Sequence, residues 1–308
     1  MTARPYAGRL TCCHSQALLT AYAPHDTASR EALIAFELAS TVPFGIVSNP
    51  TDPNRILNCF IDPDLAIDRA LESLGVEYRV QSWDADGAFP AAIDILRTWL
   101  RRGPTVVGPV DLGWLSYVGH GHIYATCDHY LVVLGVEGDV LSLCDPEGYP
   151  LLLVRVSDLL RAWRAADVPE GRGAFVMRQV LAPLSPRLTP SLIRMIVAHA
   201  AANVRAARQH EFGGGNALRL LARGWDALQR QPSLRRGTLF AVSIRMQRLL
   251  LQRRLAEELI ANDPLLSSID TAMALLGRVL SDSSHAPQML LRAGDVEDEL
   301  TGLLEARA

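Results

Sequence analysis

Three residue types in this chain are spaced in an order that supports nucleophilic chemistry. Cys13 lies in Thr11-Cys12-Cys13-His14-Ser15-Gln16-Ala17-Leu18-Leu19, where a helical pattern begins. His129 opens the apolar run Asp128-His129-Tyr130-Leu131-Val132-Val133-Leu134-Gly135, and Asp145 follows in Cys144-Asp145-Pro146-Glu147-Gly148. A thiol is a poor nucleophile until it ionises. A helix N-terminus helps it to ionise through unpaired N–H groups and the macrodipole. The same N–H groups can hold an oxyanion when a thiolate attacks a carbonyl. A histidine at a strand end can take the thiol proton, and a carboxylate can orient the ring.

Each of these residues also has a plainer reading. A cysteine is most often a buried structural residue. Cys12 competes with Cys13 for the role of nucleophile, because adjacent side chains point to different faces and only one can meet a base. Cys13 is preferred because Ala17 and Leu18 would then anchor its first turn against the core. His120 and His122, in Gly119-His120-Gly121-His122, are alternative bases or a weak metal pair with no third ligand in view. Asp145-Pro146-Glu147-Gly148 is also an ordinary turn sequence. Asp111, after the run 105–110, is either a cleft residue or a solvated strand end.

The elements that must position these groups follow from periodicity. Helices are expected over 13–23, 28–40, 64–74 and 89–102, with a Pro/Gly/Asn loop over 42–53. Strands are expected over 78–83, 105–110, 129–136, 140–144, 151–156 and 175–180, with a short helix at 157–165. A three-residue loop at Glu137-Gly138-Asp139 would set Asp145 opposite Leu131. Leu131 shares a strand face with His129, so the acid would be a diagonal neighbour of the ring. The expected fold class is α+β with an antiparallel sheet. The proline-rich stretch 182–190 is read as a boundary, giving domains at 1–182 and 190–308. The second domain is expected to be all-helical, with helices at 190–209, 216–229, 237–261, 264–281 and 295–306. Gly213-Gly214-Gly215 has no following Lys-Ser/Thr and reads as a hinge or helix–helix joint rather than a phosphate loop.

Composition excludes several functions. Net charge is −3 over 308 residues, so no broad field attracts nucleic acid or an acidic membrane surface. The chain contains no lysine, which rules out Schiff-base chemistry and a Walker-type phosphate loop. The 5 cysteines are an odd number without C-x-x-C spacing, so neither a disulfide framework nor a zinc site is expected. No apolar h-region precedes Cys12 and no stretch is long enough to span a bilayer, so a cytoplasmic location is expected. Arg235-Arg236 and Arg253-Arg254 read as solvated helix faces, or as docking points for an acidic carrier protein or a phosphopantetheine phosphate.

At these residues the chain resembles the butirosin biosynthesis acyltransferase family. The resemblance rests on Cys13-His14-Ser15-Gln16-Ala17-Leu18, Val110-Asp111-Leu112, Asp128 to Gly135, and Asp145-Pro146. It extends more weakly to Gly213-Gly214-Gly215-Asn216-Ala217-Leu218 and the stretch 243–260. The first domain is also similar to double-glycine leader peptidases, which share the Cys, His, Asp order. The resemblance implies a papain-like catalytic domain over 1–182 and a helical lid or substrate domain over 190–308. It implies Cys13 as nucleophile, His129 as base and Asp145 as orienter, with no cofactor and no metal. It implies transfer of an acyl group from an acyl or peptidyl carrier protein, held as a phosphopantetheine thioester, to a small-molecule amine. Neither nucleic acid nor membrane is an expected partner. Two positions depart from the family pattern. Cys12 stands where a histidine is expected, and no glutamine precedes Cys13 as a side-chain oxyanion donor. A thioester is more activated than an amide, so that loss favours thioester chemistry over peptide hydrolysis. A thioesterase or cyclase, a cysteine peptidase, and a non-catalytic binding module are the rival expectations.

Overall fold

The computed structural model describes residues 12–22, 47–49, 52–57, 63–84, 86–119, 124–168, 172–182, 189–209, 213–259 and 264–307. The expected helix at 28–40, Thr11, Cys59, His120, His122 and most of the proline-rich boundary lie outside them. The protein is of mixed α and β type and divides into two compact units. One comprises Met1–Ser40 with Asp62–Leu188, the other Thr41–Ile61 with Thr189–Ala308.

The first unit is built on a six-stranded antiparallel sheet. Its strands are β3 (Tyr78–Trp83), β4 (Thr105–Asp111), β5 (Asp128–Glu137), β6 (Val140–Asp145), β7 (Tyr149–Arg155) and β8 (Ala174–Val180), in the order β3-β8-β4-β5-β6-β7. Among the described residues four helices accompany it: α1 (Cys13–Tyr22), α2 (Pro63–Ser73), α3 (Phe89–Leu100) and α4 (Val156–Arg164). Side chains alternate along a strand, and both faces of the central strands are covered. Val107, Leu131, Val133, Leu143 and Met177 pack on Leu96 and Trp99 of α3 and Trp163 of α4. Val106, Tyr130 and Val132 are buried as well, and Tyr130 meets the His14 ring of α1 edge-on with centroids 5.8 Å apart. Burial on both faces explains why β4 and β5 read as continuous apolar runs.

The β5–β6 hairpin sets the register of the site. Glu137 pairs with Val140, so the turn holds two residues, Gly138 and Asp139, rather than the three expected. Gly138 takes a φ of +59°, a backbone state natural to glycine in such turns. Unaided, a two-residue turn would move Asp145 out of register with Leu131. The ladder instead slips once between Val133 and Gly135, which leaves Leu134 as an extra residue in β5. Val132 then pairs with Cys144, and Asp145 returns to the rung opposite Leu131.

In the second unit, α5 (Pro190–Arg208), α6 (Gly215–Gln229), α7 (Pro232–Leu259), α8 (Pro264–Ser281) and α9 (Ala286–Glu305) share one core around Leu218, Trp225, Val242, Leu249, Leu276 and Leu290. Two expectations need correction here. The stretch 42–53 is not simply loop: β1 (Val47–Asn49) and β2 (Asp52–Leu57) form an antiparallel hairpin lying beside α7. β1 has only 3 residues, and β2 opens on Asp52-Pro53-Asn54, a turn-like sequence, so neither shows an alternation to read locally. The last helix begins at Ala286, not at 295. Pro287 occupies its first turn, where a missing N–H costs nothing. Gly294, in its interior, is a packing residue rather than a break. A Cβ on Gly215 would come within 2.3 Å of the Gly294 carbonyl oxygen, so the triple glycine is where α6 and α9 approach backbone to backbone. Among the described residues, no helix is long and apolar enough to cross a membrane.

Candidate active site

Cys13 opens α1, and the Cys12 carbonyl accepts the first helical bond, from Gln16 N–H at 3.1 Å. Cys12 is therefore the helix cap, and its side chain is buried at 3% exposure. The Cys13 thiol is half-buried and interacts with the His129 ring. The Cys13 N–H, in the first turn, has no acceptor within the helix. The helix start thus places a thiol and a backbone donor at one point, and it is the Cys13 sulfur that meets the histidine.

His129 lies at the start of β5, 2% exposed, and its Nε2 stands 2.8 Å from Asp145 Oδ1. With Nε2 engaged by Asp145, Nδ1 is the ring atom left for Cys13. The corrected hairpin register explains the His129–Asp145 contact. Asp145 is on the rung opposite Leu131, and His129 is two residues before Leu131 on the same face.

The Asp145 carboxylate is fully buried with both oxygens occupied. Oδ1 also accepts the Glu147 N–H at 2.7 Å, and Oδ2 accepts the Tyr117 hydroxyl at 2.8 Å. Burial pushes the Asp145 pKa up. The His129 hydrogen bond and charge, with the Glu147 and Tyr117 donors, outweigh it and hold the group below the usual carboxylate value. Burial works against a charged His129 as well. Interaction with Cys13 and the bond to Asp145 still hold its pKa well above the ordinary 6.5. Burial pushes the Cys13 thiol up from 9.0, while the His129 charge and hydrogen bond pull it down, and burial prevails. His129 is therefore a stronger base than free imidazole. The His129 ring eases ionisation of the Cys13 thiol, and burial opposes it.

Tyr117 had no signal in the sequence. It lies in the irregular stretch after β4, where no period ties it to a residue 28 positions later. Burial and the Asp145 charge push its pKa upward, so it remains a hydroxyl donor. Its ring meets Tyr149 edge-on at 5.3 Å, which braces the hydroxyl from the β7 side. Asp111 is neither a solvated strand end nor a group in contact with the thiol–imidazole pair. It is 1% exposed, and its Oδ1 accepts N–H bonds from Gly113 at 2.9 Å and Thr126 at 3.0 Å. It therefore pins both ends of the loop that carries Tyr117. No group of three or more metal-ligating side chains is present among the described residues. Cys144 is buried and donates to the Pro150 carbonyl at 2.7 Å, and Cys127 is exposed.

No family model matches the chain. The chain is similar to the uncharacterized protein YobF of Bacillus subtilis (strain 168), with 30% identity over 114 residues. That stretch is 36% of this chain and 36% of the length of YobF. The chain therefore matches about a third of that relative.

Proposed function

We propose that this protein is a cysteine-dependent acyltransferase with a papain-like catalytic domain. It takes an acyl group from a carrier-protein thioester and passes it to an amine. The observation that carries this reading is the buried His129, held through Nε2 by Asp145 at 2.8 Å and interacting with the thiol of Cys13 at a helix start. A carboxylate-held histidine beside a thiol at a helix start is the arrangement that activates a cysteine nucleophile.

The reaction proceeds in two displacements. His129 takes the thiol proton, and Cys13 Sγ attacks the thioester carbonyl carbon. The carbonyl electron pair moves to oxygen as the S–C bond forms. It returns as the bond to the carrier sulfur breaks, and the departing thiolate takes the proton from His129. An amine then attacks the acyl-Cys13 carbonyl and loses a proton to His129. The thiol leaves, protonated by the same ring. An amine within the acyl chain would make the product cyclic; water would make it a free acid.

The test is intact-protein mass spectrometry after incubation with acyl carrier thioesters. The expected result is a mass gain equal to the acyl group, absent in Cys13→Ala and discharged by added amine. A gain that persists in Cys13→Ala sinks the assignment, and one lost only in Cys12→Ala moves it to the neighbouring sulfur. If peptides acylate Cys13 and thioesters do not, the protein is a peptidase.

A further inference from the structure

Gln16 lies one helical turn beyond Cys13. It is 2% exposed, and its Oε1 has no hydrogen-bond partner among the described residues. A buried amide oxygen without a partner weakens a fold and calls for an explanation other than packing. Helix geometry supplies one. Side chains three residues apart are neighbours on one helix face. Long side chains also lean back toward the helix N-terminus. The Gln16 amide therefore leans toward the turn that Cys13 begins. The other polar side chains of that turn are engaged elsewhere: Ser15 Oγ donates to the Cys12 carbonyl at 3.1 Å, and His14 packs on Tyr130.

We propose that Gln16 is a catalytic residue, the side-chain donor to the oxyanion formed when Cys13 attacks a carbonyl. The proposal rests on the acyl-transfer reading above. It fills the place left open by the absence of a glutamine before Cys13. A half-turn about the terminal torsion puts Nε2 where Oε1 now lies. In the tetrahedral intermediate, Gln16 Nε2–H and Cys13 N–H share the negative oxygen. When the carrier sulfur departs, the electron pair returns to the carbonyl and both donors are released. The buried position that lacks a partner is thus satisfied while the oxyanion exists, which is the condition for lowering a barrier rather than tightening substrate binding.

The test separates attack on a carbonyl from simple thiolate reactivity. Single-turnover acylation of Cys13 is followed by mass spectrometry and peptide mapping. The probes are N-acetylcysteamine thioesters and p-nitrophenyl acetate. Iodoacetamide alkylation, which forms no oxyanion, is followed in parallel. Gln16→Met keeps the side-chain volume, and Gln16→Ala is the second variant. Acylation is expected to fall by about 10²–10³-fold in both variants. Alkylation is expected to stay within about twofold, and Gln16→Met to melt at or above the wild-type temperature because an unpartnered amide is gone. Equal losses in acylation and alkylation overturn the proposal, as does unchanged acylation. If p-nitrophenyl acetate acylates the wild type and thioesters do not, the thioester reading falls while Gln16 is still decided by the ester. If neither probe acylates Cys13, both fall.

Discussion

The sheet unit buries charge in two places. On one side, Asp64 and Asp68 of α2 meet Arg172 and Arg178 at β8. Arg172 Nε stands 2.6 Å from Asp64 Oδ2, and Arg178 Nε stands 2.9 Å from Asp68 Oδ1. Arg178 is fully buried and also reaches the Asp64 carbonyl at 3.0 Å. At the other place, Asp145 meets His129, which meets Cys13. The first cluster matches two acids with two arginines, and no arginine gives up its proton at any pH a protein meets. Desolvation opposes the Arg178 charge, but Asp64 and Asp68 more than restore it. The second cluster has one fixed acid and two interacting groups that can each give up a proton. Burial alone does not make a site chemical. A member whose proton can move does.

That contrast can be broken from either side. The largest effect is expected from His129→Ala, which removes the mobile proton and leaves the arginine cluster untouched. Cys13 acylation should drop by about 10²–10⁴-fold, measured in single-turnover rapid quench. A loss under tenfold would mean the thiol ionises without the ring. Arg178→Met does the reverse. It leaves Asp64 and Asp68 to share Arg172 alone and should cost about 3 kcal/mol of stability, read from urea denaturation. In the fraction that remains folded, the acylation rate should match wild type. A folded variant that had lost acylation would show the two clusters to be coupled.

The smallest effect sharpens the comparison through pH. Asp145 is depressed below its ordinary 3.8, so its contribution to stability is present above that value and is lost as pH falls through the folded pKa. His129 is raised, so its contribution is full below 6.5 and fades as pH rises through the folded pKa. Tyr117→Phe removes one donor to Asp145 and leaves the carboxylate in place. It should cost about 1.5–3 kcal/mol near pH 6 and move the acid-side loss to higher pH. The difference from wild type should vanish once Asp145 is protonated in both. Denaturation series across pH would show this, and an unshifted acid limb would deny Tyr117 its hold on the acid.

How much of this was legible in the sequence depends on whether the cause is local. The helix start at Cys13 and the strand start at His129 are local, because periodicity and flanking residues mark them. The place of Asp145 was reached by a different route from the one the protein takes. The expected three-residue loop and the observed two-residue turn with an extra Leu134 end on the same rung. Nothing in Val133-Leu134-Gly135 announces a bulge. The Tyr117–Asp145 bond depends on a loop closed by Asp111, a tertiary event with no period. The last helix starts at Ala286 rather than 295, and its Gly294 meets Gly215 backbone to backbone, a tertiary approach that has no local signal.

The β5–β6 hairpin has a consequence for sequence drift and for engineering. Its turn and its bulge act as a pair of opposed shims. Adding one residue to the turn while deleting Leu134 leaves the rung of Asp145 where it is, whereas either change alone turns the acid away from His129. Length changes in this hairpin should therefore be tolerated in compensating pairs. A chain that acquired only one of them would keep its sheet and lose the His129–Asp145 contact.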